Sequence, residues 1–301
     1  MAERISFEDQ ISRNKIKSVF LMVLIIIFFI VLGYIIALIL DPSYFFIIMI
    51  IAIIFSMSYT IFSYYNSDKI ALSSVKARLA NSSEHSQFMH SVENMAIASG
   101  LEAPKAYVMD SEQINAFASG RDPKHAVICV TTGALKKLSK QELEGVIAHE
   151  MAHVANFDIR FMTLTAVLIG IISILAEIFL RSLWFSSGNR DRGKGGAILL
   201  ILGVLFAILA PIAANLVSLA ISRKREFTAD ATGVKFTRYP PGLASALKKI
   251  KSEHVSEQDK HRYAKALAPL FISNPYKKLK ASSFFSTHPS IDQRIAILEK
   301  M

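Results

Sequence analysis

Four long apolar stretches dominate the pattern of hydrophobic and polar positions along the chain. They run over Ser18–Leu40, Tyr44–Tyr65, Phe161–Leu180 and Ala197–Ile221, and only the third contains a charged residue, Glu177. Each stretch is long enough for a helix that crosses a hydrocarbon core of about 30 Å. The first is too long for a signal peptide, and a second span follows it rather than a cleavage site. The pattern therefore predicts about four transmembrane helices.

The polar region between the second and third spans predicts a folded segment of helices and short strands. A helix ending before Gly100 precedes strands that we predict at Lys105–Met109, Ile114–Ala118 and Ala126–Thr131. The sequence SKQE from Ser139 is a capping box, so another helix begins there. The predicted fold class is an α-helical membrane protein with an α+β domain. Its predicted parts are a cytoplasmic tail with two membrane helices at 1–66, the first half of the domain at 67–160, a membrane hairpin at 161–221 and the second half of the domain at 222–301.

The distribution of positive charge predicts the orientation of the spans. Arg4, Arg13, Lys15 and Lys17 precede the first span, whereas the loop Asp41–Ser43 after it carries no positive charge. The positive-inside rule places the N-terminus and residues 66–160 in the cytoplasm. The expected location is the cytoplasmic (plasma) membrane, with the active site facing the cytoplasm. The basic loop at 184–196 would also favour the cytoplasm by its charge alone.

Composition excludes several function classes. The chain is 52% hydrophobic with mean hydropathy +0.39, and its net charge of +10 is spread over short clusters. Solvated cationic faces explain these clusters best, anionic headgroups are the alternative, and no nucleic-acid-binding motif accompanies them. The GxxxxGK spacing of Gly188–Lys194 lacks the Ser or Thr of a phosphate loop, so no nucleotide is expected. The single Cys129 excludes an intramolecular disulfide and a cysteine-cluster metal site.

The helix that begins at the capping box carries a metal-binding pattern. It contains HExxH, with His149, Glu150 and His153 as the defining residues. Residues four apart in a helix lie on one face, so both imidazoles can bind one metal ion while Glu150 reaches its open coordination position. Chance would produce the pattern in about one sequence in a hundred. Zinc used in hydrolysis needs a third protein ligand and one exchangeable water, so a third ligand is required.

Two candidates for the third ligand are excluded by spacing. The extended pattern HExxHxxGxxH is absent, because Asn156 and Ile159 occupy its Gly and last His positions. Glu177 would lie about 25 Å along the third span, near the far side of the bilayer. An ion pair with Arg181 on the same helix face explains Glu177 better.

Glu226 is the candidate that the topology favours. The third span crosses the bilayer and the fourth crosses back, so Glu226 lies on the same side of the membrane as HExxH. Asp230 follows one helical turn later on the same helix face. This interpretation puts the loop at 184–196 on the opposite side, against its charge. Positive-inside counting is a statistical preference, so we give the coordination argument more weight. A solvated charged residue beside the membrane is the alternative for Glu226.

Four sequence segments resemble a known family. They are INAFASG from Ile114, HEMAH at 149–153, SRKREFTAD from Ser222 and FSTHPSIDQRI from Phe285. With the four spans, they make nearly the whole chain similar to the integral-membrane zinc endopeptidases typified by the heat-shock protease HtpX. The resemblance to the CAAX prenyl endopeptidase is more distant, since that enzyme has more spans. The implied domain is a gluzincin-like zinc protease with a small edge sheet beside the HExxH helix.

The resemblance also implies roles for individual residues. One Zn2+ per chain would be bound by His149, His153 and Glu226, with Glu150 as general base and acid, Asp230 orienting a ligating histidine, and His288 and Arg294 stabilising the tetrahedral oxyanion. Asp158 fits the family pattern too, with helix termination as the alternative. From its own sequence context, His288 would be only an exposed loop histidine.

The segment Asn115, Ala116, Phe117 and Ala118 has the alternation of a strand. At a sheet edge beside the metal it would pair with an extended substrate through main-chain hydrogen bonds. An ordinary interior strand is the alternative, and the sequence favours neither.

The expected function is that of a zinc endopeptidase close to the membrane surface. It would cleave polypeptides, above all damaged or misfolded membrane proteins, at the cytoplasmic face. A non-catalytic zinc-containing membrane scaffold is the first alternative, but a closed structural site needs a fourth protein ligand, for which His288 is the only candidate. A transporter is the second, although four spans with one ionisable residue make a poor pathway. No oligomeric state is predicted.

Overall fold

A helical hairpin forms the N-terminal membrane part of the computed structural model, which describes residues 7–39, 42–186, 203, 223–253, 267, 270–273 and 290–301. Helix α1 covers Phe7–Ile39, a 3-10 turn covers Pro42–Tyr44, and α2 covers Phe45–Tyr65. A Cβ atom added to Gly33 would lie 2.3 Å from that of Ala52, so the two helices meet through small residues, as membrane helices often do. Large apolar side chains on both helices are exposed, as lipid-facing residues must be.

A small mixed sheet follows the hairpin. Its elements and the adjoining helices are α3 at Ser67–Ser74, β1 at Arg78–Leu79, α4 at Ser86–Ser99, β2 at Lys105–Met109, β3 at Ala116–Gly120 and β4 at Ala126–Thr131. Within the described residues the sheet has the order β1-β2-β4-β3, with β2 and β4 parallel and the other neighbours antiparallel. Helix α4 ends at Gly100, whose φ of 71° is the left-handed cap that glycine favours. Strand β3 forms one edge of the sheet.

Strand β3 begins later than the predicted strand Ile114–Ala118. The backbone N–H of Asn115 donates to the Thr131 hydroxyl at 3.0 Å, and that hydroxyl donates to the Gln113 carbonyl at 2.6 Å. These side-chain bonds satisfy the backbone in place of a strand ladder. Regular pairing therefore starts at Ala116, opposite Val130.

The central helix of the domain is α6, Lys140–Ala155, which follows the short helix α5 at Thr132–Lys137. The predicted capping box is present, because the Ser139 N–H donates to Glu142 Oε2 at 2.7 Å and the Glu142 N–H donates back to Ser139 Oγ. Most residues of α6 beyond the first turn are buried. The helix thus lies in the core, with β3 packed against it.

Helix α6 leads almost directly into a membrane helix, α7, at Asp158–Ser186. The turn between them includes Phe157, whose φ of 58° is uncommon for a large residue. The Lys15 ammonium lies 4.6 Å from the Phe157 ring centroid and covers that turn. Helix α7 packs against α1 in an apolar cluster that includes Leu21 and Leu164.

Three of the four predicted spans correspond to helices of sufficient length and hydropathy in the described part of the chain. These are Ile11–Leu38, Pro42–Tyr65 and Asp158–Leu175. Of the fourth predicted span, Ala197–Ile221, only residue 203 is among the described residues.

Three helices complete the domain after the membrane region. They are α8 at Arg223–Thr237, α9 at Pro240–Ser252 and α10 at Ile291–Leu298. Helix α9 approaches α6 where a Cβ on Gly145 would lie 2.5 Å from the Leu243 nitrogen. The main core is formed by residues that α4, α6, α9 and the sheet bury between them. Phe88, Ile128 and Ile147 are almost fully enclosed in it.

Candidate metal centre

Two histidines and a glutamate of α6 lie buried on the side of the helix that meets α8. His149 is 1% exposed, Glu150 1% and His153 3%. The two imidazoles, four residues apart, meet edge to face with ring centroids 4.8 Å apart. The helical spacing therefore brings both rings to one buried point, as HExxH predicts.

Helix α8 supplies a carboxylate to the same point. Glu226 Oε2 lies 3.6 Å from His149 Nε2, and Glu226 Oε1 lies 3.7 Å from His153 Nε2. One ligand atom from each of the three side chains lies within 4.8 Å of the others. A Cβ atom on Gly233 would lie 3.0 Å from the backbone nitrogen of His149. The absence of a side chain at Gly233 therefore allows α8 to come this close to α6.

Carboxylates bind the remaining ring nitrogen of each histidine. Asp230 Oδ1 lies 2.9 Å from His149 Nδ1, and Asp158 Oδ2 lies 3.0 Å from His153 Nδ1. An ionised carboxylate only accepts, so it fixes the proton on Nδ1 and leaves Nε2 of each ring as the donor atom for a metal. Such carboxylate-histidine pairs are the usual outer partners of metal-binding histidines.

The donor set fits zinc. Two imidazole nitrogens and one carboxylate oxygen suit a catalytic zinc site, which keeps a further position open for water. Glu150 Oε1 is buried and, among the described residues, has no hydrogen-bond partner. A buried acceptor of this kind needs a ligand or water as its partner, so the arrangement is that of an incomplete polar site rather than of a closed core.

The environment of Glu150 suits proton transfer. Among the protein groups, burial raises its pKa to about 7, with the His153 charge acting in the opposite direction. The backbone N–H of Ala118 on β3 lies near the same carboxylate and lowers its pKa. Burial thus moves the pKa of Glu150 towards the neutral range in which a general acid or base works best, before the charge of any bound metal acts on it.

The buried charges around the histidines shift their pKa values in opposite directions. Burial and the nearby Arg294 charge lower the pKa of His149. Burial alone would lower the pKa of His153 too, but the Asp158 hydrogen bond and the Glu226 charge raise it to about 9. Burial would raise the pKa of Asp230, yet Arg294 and His149 hold it below its usual range.

Arg294 on α10 lies beside the predicted ligands and is 1% exposed. Its Nε donates to Asp230 Oδ2 at 2.8 Å, its Nη2 donates to Asp230 Oδ1 at 2.6 Å, and its Nη1 lies 3.3 Å from Glu226 Oε2. This bidentate pair neutralises and orients Asp230. The expected oxyanion role of Arg294 stays a prediction, and His288 lies outside the described residues.

The predicted substrate strand lies at a sheet edge, beside α6. The chain itself already contacts that edge, since the Ile272 N–H donates to the Ala116 carbonyl at 3.0 Å. The Asn115 side-chain amide donates to the Ser273 carbonyl at 2.8 Å. Phe117 packs edge to face on Phe271. Binding of substrate along Asn115–Ala118 stays a prediction.

Two polar residues beside the centre were missed by sequence reasoning. Asn14 of α1 and Arg225 of α8 both contact Asp158, at 2.7 Å and 3.2 Å. An asparagine near the start of an apolar span is a usable signal, because polar groups in spans are costly and tend to be functional. Glu177, which spacing excluded as a third ligand, lies about 28 Å along α7 from Asp158 by helical rise and is therefore far from the centre.

Comparison with known proteins agrees with this geometry. Residues 82–301 match Peptidase family M48. A "Protease HtpX homolog" of Thermoanaerobacter pseudethanolicus is 46% identical over 82% of this chain and 83% of its own length. A "Protease HtpX homolog" of Dictyoglomus thermophilum is 41% identical over 98% of this chain and 95% of its own length.

A solved structure shares the fold. The crystal structure of S. mikatae Ste24p aligns with a TM-score of 0.50 and 20% sequence identity, over 95% of this chain and 66% of that chain. At this identity the likeness concerns the fold alone. Taken with the family match over 82–301 and the HtpX relatives, it leads to one conclusion: the chain belongs to peptidase family M48 and is a membrane metallopeptidase.

Proposed function

We propose that this metallopeptidase is a zinc-dependent endopeptidase that cleaves damaged or misfolded membrane proteins at the cytoplasmic face of the plasma membrane. The observation that carries the proposal is the buried convergence of His149, His153 and Glu226 beside Glu150. A scaffold with a structural metal has no use for a buried carboxylate whose Oε1 has no hydrogen-bond partner in the described chain.

The proposed metal is zinc, held by Nε2 of both histidines and by the Glu226 carboxylate. When bound, zinc would polarise the scissile carbonyl and lower the pKa of a water molecule. Asp230 and Asp158 keep the two imidazoles in the required tautomer. Arg294 keeps Asp230 ionised.

Glu150 is the proposed proton carrier. Its carboxylate would accept a proton from the attacking water and then deliver it to the leaving amine. His288 and Arg294 are the proposed groups that offset negative charge on the substrate oxygen. In this proposal Arg294 stabilises the substrate oxygen while its guanidinium group stays paired with the Asp230 carboxylate.

The proposed substrate is an extended polypeptide that runs along the β3 edge. The Ala118 N–H already faces Glu150, so a peptide on this edge would pass directly by the proposed proton carrier. The chain's own contact at Ala116 would have to separate for a substrate to pair there. Main-chain pairing makes few demands on substrate sequence, which suits the removal of damaged proteins.

The proposed cytoplasmic orientation rests on charge. Arg13, Lys15 and Lys17 lie at the end of α1 nearest the centre, and the loop at Pro42–Tyr44 carries no positive charge. Since His153 lies only a few residues before Asp158, where α7 begins, the centre would be at the membrane surface. Membrane proteins with unfolded segments near the bilayer are therefore the proposed substrates.

The decisive variant is Glu150→Gln in the full-length, detergent-purified protein. We expect zinc content to stay stoichiometric while cleavage of labelled casein falls by a factor of about 10² to 10⁴, because the proton carrier is lost and the ligands are kept. Glu144→Gln makes the same chemical change on the same helix, and its activity should equal that of the wild type.

Each result of this experiment has a distinct meaning. Equal cleavage by Glu150→Gln and the wild type would disprove the role of Glu150. Stoichiometric zinc without cleavage by the wild type, with casein and with an unfolded membrane protein, would favour the scaffold. Absence of zinc from the folded wild type would disprove the zinc site.

A further inference from the structure

A polar side chain of the first membrane helix reaches the junction between α6 and α7. Asn14 lies in the basic N-terminal part of α1, between the exposed residues Arg13 and Lys15, yet it is only 4% exposed. Its amide nitrogen donates to Asp158 Oδ1 at 2.7 Å and to the Asn156 carbonyl at 2.9 Å. Asn156 caps the end of the HExxH helix, and Asp158 is the first residue of α7, so both acceptors lie where the two helices meet.

Asp158 shares its two oxygens among three parts of the chain. Oδ2 lies 3.0 Å from His153 Nδ1, and Oδ1 lies 3.2 Å from Arg225 Nε as well as 2.7 Å from the Asn14 amide. Asp158 is completely buried, with 0% exposure. A buried carboxylate depends on its donors for both its ionisation and its rotamer, so each donor affects where Oδ2 lies.

We propose that Asn14 is a positioning residue of the metal centre, which holds the Asp158 carboxylate in the rotamer that orients His153. The inference rests on the proposed function, since it takes His153 as a zinc ligand. It makes α1 part of the centre: the membrane helix supplies a hydrogen-bond donor to the carboxylate that binds the ligand's other ring nitrogen.

Two features argue for this role over simple helix packing. The Asn14 amide bonds to a charged group and to a helix-terminal carbonyl at once, which fixes the turn that carries Asp158 relative to α1. Asn14 is buried while its neighbours Arg13 and Lys15 are exposed, and an apolar side chain there would leave the Asn156 carbonyl and Asp158 Oδ1 without this donor. Outer partners of metal-binding histidines typically change metal affinity by about 10-fold to 100-fold when mutated.

The test measures zinc affinity, by competition with a chromophoric chelator, in addition to cleavage of labelled casein. Asn14→Leu roughly keeps the volume of the buried side chain, but it removes the donor. We expect zinc to bind about tenfold more weakly and kcat to fall at saturating zinc, while KM stays unchanged, because the metal centre and not the substrate strand is altered.

The matched control is Ser18→Ala, one turn further along α1. Ser18 is also buried, and its hydroxyl donates to the Asn14 carbonyl without contacting Asp158. Its loss disturbs the helix interface and leaves the Asn14 amide in place, so zinc affinity should not change. Should Asn14→Leu fail to give a monodisperse, helical protein, Asn14→Ala is measured in its place.

A double-mutant cycle separates positioning from general destabilisation. If Asn14 acts through Asp158, Asn14→Leu should change zinc affinity less than about twofold in an Asp158→Ala background. An equal loss of affinity in both backgrounds would overturn the inference, and so would wild-type affinity of Asn14→Leu.

Glu226→Ala distinguishes this inference from the proposed function. Loss of zinc by Glu226→Ala together with normal zinc binding by Asn14→Leu would overturn the role of Asn14 alone. Normal zinc binding by Glu226→Ala would overturn the proposed ligand set, and the inference with it.

Discussion

At the scale of single residues, the centre contains more buried carboxylates than buried guanidinium groups. Glu150, Asp158, Glu226 and Asp230 are all at most 2% exposed, whereas the buried guanidinium groups beside them are those of Arg225 and Arg294. Uncompensated buried charge is costly, so excess acid raises the affinity for a cation. A divalent ion bound here would supply positive charge to these carboxylates, which would explain how so many of them share one site.

The raised pKa of His153 predicts how zinc binding depends on pH. With a pKa of about 9 among the protein groups, His153 carries a proton at neutral pH, and zinc must displace it. Affinity should therefore rise as pH increases, by up to about tenfold per pH unit for one displaced proton, and level off above about pH 9. Chelator competition between pH 6 and 10 measures this, and a flat profile would contradict it.

Asp158→Asn tests the cause of that shift. Removing the negative charge beside Nδ1 lowers the pKa of His153, so the rise in zinc affinity should level off at a lower pH than in the wild type. The same substitution at Asp122, a half-buried aspartate whose carboxylate is bonded to His125 and to none of the predicted ligands, should leave the profile unchanged. An unmoved profile in Asp158→Asn would show that another group is titrating.

Sequence reasoning could find some residues of the centre and not others. The three HExxH residues are local, since helical spacing alone puts them on one face. Glu226 followed from counting membrane crossings and from the chemistry of a third ligand. Asn14 is marked in the sequence only as a polar residue near the start of a span, and nothing there links it to Asp158, because only the packing of α1 against α7 brings the two together.

At the scale of helices, the approach of α8 to α6 sets the geometry of the centre. Gly233→Val would place carbon atoms at or within about 3.0 Å of the His149 backbone, so α8 must move away and take Glu226 and Asp230 with it. We expect weaker zinc binding, by tenfold or more, and lower thermal stability. Chelator competition and thermal unfolding measure the two effects.

Ala231→Val is the matched control for that helix. Ala231 is exposed on α8, so a β-branched residue there brings the same helix-propensity cost without a clash. Near-normal zinc affinity in Ala231→Val and a loss in Gly233→Val would assign the effect to helix approach. Equal effects would assign it to propensity.

Helices and strands with strong local signals were predictable. The capping box at Ser139 and the glycine end of α4 mark their helices correctly. Strand β3 was placed too early, since the pairing of residues 113–115 with Thr131 is a tertiary effect. The short helices α3 and α5 were not predicted, because they have too few turns for the helical repeat of hydrophobic residues to be recognised in the sequence.

At the scale of the whole molecule, the orientation in the membrane has a direct test. Ser43→Cys lies in the loop between the first two spans, and Glu102→Cys lies on the exposed side of the domain. A membrane-impermeant maleimide should label Ser43→Cys in intact cells but Glu102→Cys only after permeabilisation. The native Cys129 is buried, which raises the pKa of its thiol and makes it a built-in unreactive control.

The reverse labelling pattern would place the domain outside the cell.

The arrangement of the hairpin and the third span followed from hydropathy, because length and polarity alone identify a membrane helix. The side of the membrane rests on charge counting, which is the weaker physical argument.

Because Asp158 both binds His153 and begins α7, the centre has no flexible linker between itself and the bilayer. Helices that are too long for a thin bilayer tilt within it. Tilting α7 against α1 would move Asp158 relative to Asn14, so hydrocarbon thickness becomes a variable in the reaction. In vesicles of phosphatidylcholines with increasing acyl-chain length, we expect kcat to pass through a maximum, and to vary less in Asn14→Leu. Lipid composition would then act on this peptidase as an effector, without any lipid reaching its metal.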